Sequence, residues 1–145
     1  MVFSPGLNPT EAEQVRGWLS NDESEVFFAQ PEFDQRHGLE AARHVAQLEP
    51  QRTDLIRAAL LHDIGKRHAG LGPMGRTIVS VYIKLGGRPK GKWHSYLDHG
   101  QGAAAELEAL GAEPIVVEFS REHHGSRPEL IAEEDWAVLQ AADQV

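Results

Sequence analysis

The chain has 145 residues, no cysteine and a formal net charge of −8. This length suits one domain with its own core, and the lack of cysteine excludes disulfides, thiolate metal sites and a cysteine nucleophile. The acidic balance argues against general nucleic-acid binding, because that binding needs many basic side chains to displace counterions from phosphates. No apolar run approaches the roughly 20 residues of a membrane helix. We therefore expect a cytoplasmic protein that does not bind membranes.

The first part of the chain predicts three helices. Asn8, Pro9 and Glu11 form a typical helix start, which predicts a first helix that ends near Leu19. The next two helices each place a histidine on the same face as apolar residues at three- or four-residue spacing. In chain order these two faces comprise His37, Ala41, Val45 and Leu48, and then Leu55, Ala58, Ala59 and His62. Both histidines are expected to point inward.

The second part predicts further helices around one ambiguous segment. Residues 71–85 contain closely spaced apolar residues from Ile78 to Leu85, but periodicity does not distinguish a buried helix from a strand there. One helix is predicted over 96–110 and ends at Gly111. A second begins at Pro114, and a third begins at about Glu133. Each of these three helices carries one ionisable residue on its inner face, namely His99, His123 and Asp143. The predicted fold is all-α, a compact bundle of about seven short helices.

Ionisable residues on apolar helix faces indicate a shared partner. Burial of such a group costs several kcal/mol unless the group is paired or binds a metal. A hydrogen-bonded core histidine would explain any one of them, whereas a metal explains all of them together. His62 and Asp63 precede Gly65, which is expected to end the helix so that both reach one ion beyond it. The nitrogen-rich donor set favours iron, manganese, cobalt, nickel or zinc, with magnesium also possible. The candidate ligands are His37, His62, Asp63, His99, His123 and Asp143.

Positive charge lies next to these candidates and suits a small anion. Lys66 follows the His-Asp pair, where it could contact a phosphate or oppose the helix dipole. The glycine spacing of Gly86 to Lys92 matches a phosphate loop, but Trp93 stands where a serine or threonine hydroxyl must hold magnesium. A basic loop that closes over a phosphate is the favoured interpretation. The candidate substrate contacts are Lys66, Arg88, Lys90 and Lys92.

The order His37, then His62-Asp63-Ile64-Gly65-Lys66, then Asp143 resembles the HD-domain superfamily of metal-dependent phosphohydrolases over most of the chain. The resemblance implies one HD domain over residues 1–145 and a metal held by His37, His62, Asp63 and Asp143. Members with two metals add histidines, which implies His99 and His123 as further ligands, a bridging role for Asp63, and His124 as a further ligand or substrate contact. Only two residues follow Asp143, so a short member and a C-terminally truncated one are both expected alternatives.

Residues and resemblance together predict a hydrolase that cleaves a phosphate ester or anhydride of a small nucleotide-like metabolite. One or two divalent ions would generate a hydroxide nucleophile, with Asp63 and Lys66 as catalytic residues and His124 among the substrate contacts. A di-iron oxygenase on the same ligand set and a non-catalytic nucleotide-binding regulatory module are the alternatives. His123 and His124 are followed by Gly-Ser-Arg-Pro rather than the Gly-Tyr-Pro of the relatives that cleave cyclic dinucleotides, so these substrates are not expected.

Overall fold

The computed structural model describes residues 6–64 and 99–145, with the backbone alone for residues 99–102. The described residues form helices and no strand, which confirms the predicted all-α fold for these two ranges. None of the described helices is long and apolar enough to cross a membrane. The predicted segment 71–85 and the predicted helix start at 96–98 lie outside the described residues. In chain order the helices are α1 (Pro9–Trp18), α2 (Asn21–Phe28), α3 (Glu32–Leu48), α4 (Thr53–Leu61), α5 (His99–Ala109), α6 (Pro114–Glu122) and α7 (Glu133–Asp143).

Reciprocal capping boxes begin α1 and α2. The Asn8 side chain accepts from the Glu11 amide at 2.8 Å, and the Glu11 carboxylate accepts from the Asn8 amide at 3.0 Å. Ser20 and Glu23 repeat this exchange at 3.1 Å and 2.9 Å. Each box satisfies amide donors that a helix start would otherwise leave without partners. The predicted start and end of α1 are confirmed, whereas α2 was not predicted.

Helices α3, α4, α6 and α7 surround the centre of the described structure. α4 packs against α3 and α6, and α7 contacts both α3 and α4. Most of the predicted inner faces are buried, but Leu48 is 55% exposed, so its predicted inward position is wrong. Leu48 is the last residue of α3, and the residues on either side of it, Gln47 and Glu49, are exposed as well. The largest fully buried side chains include Phe27, Leu39, Leu55, Ile56, Leu60, Leu61, Phe119 and Leu139.

A close approach between α3 and α4 depends on Gly38. A Cβ atom at this position would lie 3.0 Å from Cε2 of Phe27 and 3.1 Å from the carbonyl oxygen of Leu60. Both distances are shorter than about nine in ten of the contacts that real Cβ atoms make, so a neighbouring group would have to shift. The glycine therefore lets α3 lie against the end of α4, which brings His37 close to the residues that follow α4.

The turn after α5 confirms the predicted role of Gly111. This residue has a φ of 81°, in the left-handed region that glycine adopts without strain. The amide of Ala112 donates to the carbonyl of Leu107 at 3.0 Å, which closes the helix end. Pro114 then begins α6, and Glu133 begins α7, both as predicted.

Candidate metal centre

Four polar side chains from three parts of the chain converge at the centre of the described helices. His37 lies in α3, His62 and Asp63 follow α4, and Asp143 is the last residue of α7. One nitrogen or oxygen atom from each lies within 4.8 Å of the corresponding atom of all the others. We call these four residues the first donor group. The group could hold a metal ion.

Distances within the first donor group approach those around a bound ion. Nε2 of His37 lies 3.5 Å from Oδ2 of Asp63 and 3.4 Å from Oδ1 of Asp143. Nε2 of His62 lies 3.2 Å from Oδ2 of Asp63 and 2.6 Å from Oδ1 of Asp143. Ligand bonds of about 2.1 Å place neighbouring donors about 3.0–3.4 Å apart at octahedral or tetrahedral angles. Three distances are close to this range, and the fourth matches a hydrogen bond from a protonated imidazole.

A backbone contact fixes the orientation of the His62 ring. Nδ1 of His62 lies 2.6 Å from the carbonyl oxygen of Ala59, in the last turn of α4. Because a carbonyl only accepts hydrogen bonds, Nδ1 must donate, which leaves the lone pair of Nε2 available when the imidazole is neutral. The side chain is fully buried. A hydrogen bond of this kind on the second ring nitrogen is typical of metal-binding histidines.

The electrostatics of the first donor group favour a cation. Burial lowers the pKa of His62, but the neighbouring carboxylates of Asp143 and Asp63 outweigh burial and raise this pKa to about 9. Hydrogen bonds from His37 and His62 hold the pKa of Asp143 well below its usual range, although burial opposes them. Two carboxylates beside two imidazoles therefore attract positive charge, either as a proton or as a metal ion.

A second donor group shares Asp63. One donor atom each from Asp63, His123 and His124 lies within 4.8 Å of the others. Nε2 of His123 is 3.5 Å from Oδ1 of Asp63, the oxygen opposite to the one that faces His37 and His62. The His123 side chain is 4% exposed, and its Nε2 has no hydrogen-bond partner among the described residues. Asp63 therefore presents one oxygen to each donor group.

His62 and His123 occupy equivalent positions at the ends of two helices. Each is the first residue after its helix, α4 or α6, and each places Nδ1 near the carbonyl three residues earlier, at 3.0 Å for His123 and Ser120. The two rings lie 5.2 Å apart, and the Phe119 ring lies 5.8 Å from both. His62 and Asp63 are both buried, which agrees with the predicted inward position of His62.

Among the described residues, the donors on one side of the centre are partly or fully exposed. The side chains of His37 and Asp143 are each 21% exposed, and His124 is exposed. His62, Asp63 and His123 are buried behind them. A ligand of the centre would therefore approach from the side formed by His37, Asp143 and His124.

Several predicted site residues lie outside the structural description. Lys66, Arg88, Lys90 and Lys92 are outside the described residues, so their predicted phosphate contacts stay predictions. His99 is the first described residue of α5, but its side chain is not among those described. Sequence reasoning missed Gln140, whose amide contacts the backbone of His123. Its position one turn before Asp143 was the only available signal.

Comparison with known proteins gives no match to a protein-family model, a curated protein or a solved structure.

Proposed function

We propose that this chain is a metal-dependent phosphohydrolase of the HD-domain superfamily. Its substrate would be a small nucleotide-like metabolite with a phosphate ester or anhydride. The convergence of His37, His62, Asp63 and Asp143 carries the proposal, because four donors from three regions of the chain meet at one point. The proposal also follows the order of these residues in the sequence, which resembles that superfamily.

The donor atoms suit divalent transition metals. Imidazole nitrogens and carboxylate oxygens, without a thiolate, favour manganese, iron, cobalt, nickel or zinc over magnesium alone. We propose one ion at the first donor group and a second at the group formed by Asp63, His123 and His124. The carboxylate of Asp63 would bridge the two, since Oδ2 faces His37 and His62 while Oδ1 faces His123.

The protein's own side chains would set up the reaction. Divalent ions, when bound, would supply acidity to a water molecule and neutralise charge on phosphoryl oxygens. The backbone hydrogen bonds of His62 and His123 keep both rings oriented before substrate arrives. His124 is exposed beside Asp63; while one of its ring nitrogens would hold the second ion, the N–H of the other would donate a hydrogen bond to a phosphate oxygen. The remaining phosphate charge is proposed to be offset by Lys66, Arg88, Lys90 and Lys92.

A cytoplasmic location is also proposed, because the chain lacks cysteine and this composition fits a reducing compartment.

A substrate screen with a matched pair of variants tests this proposal. The purified protein, supplemented with manganese, iron, cobalt, nickel or zinc, is incubated with nucleotides, dinucleoside polyphosphates and sugar phosphates. We expect one class to release phosphate or a shorter phosphoester. Asp63→Asn should abolish turnover, whereas Asp22→Asn, at an exposed position of α2, should leave it unchanged.

Other results of the screen would contradict hydrolysis. Turnover by Asp63→Asn at the wild-type rate would remove the proposed mechanism. Iron-dependent oxygen consumption without phosphate release would instead indicate a di-iron oxygenase. Tight nucleotide binding with no product over hours would indicate a regulatory module.

A further inference from the structure

Gln140 connects the helix that carries Asp143 to the histidine of the second donor group. It lies in α7, one helical turn before Asp143. Its side-chain Nε2 donates to the carbonyl oxygen of His123 at 2.9 Å. Helix α7 therefore provides a ligand atom for the first donor group and a hydrogen bond to the backbone of the second.

The contact acts where the backbone of α6 is no longer fixed by regular helical bonds. α6 ends at Glu122, and the carbonyls of a final helical turn lack partners within the helix. The Gln140 amide satisfies the carbonyl of His123, while Nδ1 of His123 donates to the carbonyl of Ser120. These two hydrogen bonds hold the backbone and the ring of His123. The remaining polar atom, Nε2, then faces Asp63.

We propose that Gln140 is a positioning residue for the second donor group. Its amide fixes the peptide of His123 so that Nε2 points at Oδ1 of Asp63. This inference rests on the proposed function, because it assumes that the second group binds an ion. Gln140 contacts no ligand atom of the first donor group in the described contacts, so its loss should affect the two groups unequally.

A metal titration of Gln140→Met tests the inference. Methionine has nearly the same length as glutamine but lacks the N–H donor. Manganese binding is followed by calorimetry, and electron paramagnetic resonance distinguishes a spin-coupled pair from isolated ions. We expect two equivalents in the wild type. In Gln140→Met the second equivalent should bind about 10–100-fold more weakly, as is typical when a hydrogen bond behind a ligand is removed. The first equivalent should bind normally, and the spin-coupled signal should be lost.

Two further variants complete the experiment. Gln47→Met places the same change at an exposed position of α3 and should bind both equivalents like the wild type. Gln140→Glu keeps the shape of the side chain and replaces the donor with an acceptor, so it should lose at least as much affinity for the second equivalent. If the methionine variant does not fold, the glutamate variant decides the result.

Several outcomes would overturn the inference. Two normal equivalents in both Gln140 variants would show that the hydrogen bond does not position His123. Equal weakening of both equivalents, together with a lower melting temperature of the metal-free protein, would show a general structural role. One equivalent in the wild type would remove the second ion and this inference, but not the proposed hydrolase. A wild-type protein that binds no metal at all would contradict both this inference and the proposed hydrolase.

Discussion

His62 and Asp143 lie in contact although they are 81 positions apart in the chain, with Nε2 of His62 2.6 Å from Oδ1 of Asp143. A carboxylate oxygen only accepts hydrogen bonds, and Nδ1 of His62 already donates to Ala59. As a hydrogen bond, the short contact therefore needs a proton on Nε2 as well, which makes the His62 ring a cation; a bound metal ion would take the place of this proton. The last turn of α7 is tied to the end of α4 through this pair.

Loss of the Asp143 carboxylate should weaken metal binding. In Asp143→Asn the donor group keeps its shape but loses one of its two negative charges next to the buried His62 ring. We expect manganese to bind at least about tenfold more weakly, a difference of about 1.4 kcal/mol. Competition against a chelating dye measures this affinity. Asp22→Asn is the control for charge, and an Asp143→Asn protein that binds as tightly as this control would contradict the prediction.

The ionised carboxylate of Glu11 should stabilise the folded protein at every pH except strongly acidic values. Its side chain is 9% exposed and accepts hydrogen bonds from both terminal nitrogens of Arg36 in α3, at 2.7 Å and 2.9 Å. The Arg36 hydrogen bonds, with that from the Asn8 amide, lower the pKa of Glu11 from 4.5 to about 2. Because the folded-state pKa is lower than the ordinary value, this stabilisation is complete above about pH 4.5. It is lost as the pH falls toward about 2.

Glu11→Gln should therefore lower the free energy of unfolding and make it depend less on pH in the acidic range. We expect a loss of about 1–2 kcal/mol in the free energy of unfolding at neutral pH, from the charge-assisted bonds to Arg36. Between about pH 4.5 and 2 the variant should lose less stability than the wild type. Glu13→Gln makes the same change at an exposed position of α1. Urea denaturation at several pH values measures the difference, and identical pH profiles for wild type and Glu11→Gln would contradict the account.

Two glycine-to-alanine changes should have opposite effects. At Gly38 the added Cβ meets Phe27 and the backbone of Leu60, so Gly38→Ala should destabilise the fold by about 1–3 kcal/mol and weaken metal binding through displacement of His37. At Gly17, in α1, nothing lies within 4 Å of the added Cβ. Gly17→Ala should stabilise the protein by about 0.5–1 kcal/mol. Melting temperatures measure both changes, and a neutral Gly38→Ala would show that the close helix contact is not required.

Phe119 should be required for the packing of both histidines. Its fully buried ring contacts His62, His123 and the Trp136 ring, the last at a centroid distance of 5.7 Å. Phe119→Leu should lower the free energy of unfolding by about 1–2 kcal/mol, since it removes ring contacts and leaves space in the core. Phe33→Leu, at a side chain that is 67% exposed, should change stability by less than about 0.5 kcal/mol. Equal effects in urea denaturation would contradict this role.

Helical periodicity predicted the all-α fold and the inward histidines, whereas the resemblance to HD domains implied the set of four residues that lie together in the first donor group. Ionisable residues on apolar helix faces must find partners inside, and His37, His62 and Asp143 each interrupt such a face. The start of α1 and the turn at Gly111 were also predictable, because each depends on local residue chemistry. The Ser20 and Glu23 pair is the same kind of local signal for the start of α2.

Other features depend on tertiary contacts that periodicity does not contain. The hydrogen bond from Gln140 to His123 joins α7 to the end of α6. A helical pattern shows only on which face of its own helix a glutamine lies, so it does not predict this contact. The burial of Asp63 depends on the helices packed around it, which no local sequence pattern specifies. Leu48 had the spacing of an inner-face residue, but its position at the end of α3 leaves it exposed.

Elemental analysis of the protein, purified without added metal and then after dialysis against manganese, tests the central claim most directly. We predict one to two equivalents of a divalent transition metal per chain, and less than half of that amount in Asp63→Asn, because Asp63 contributes to both donor groups. A folded wild-type protein that holds no metal after dialysis, or an Asp63→Asn variant that holds as much as the wild type, would contradict the account.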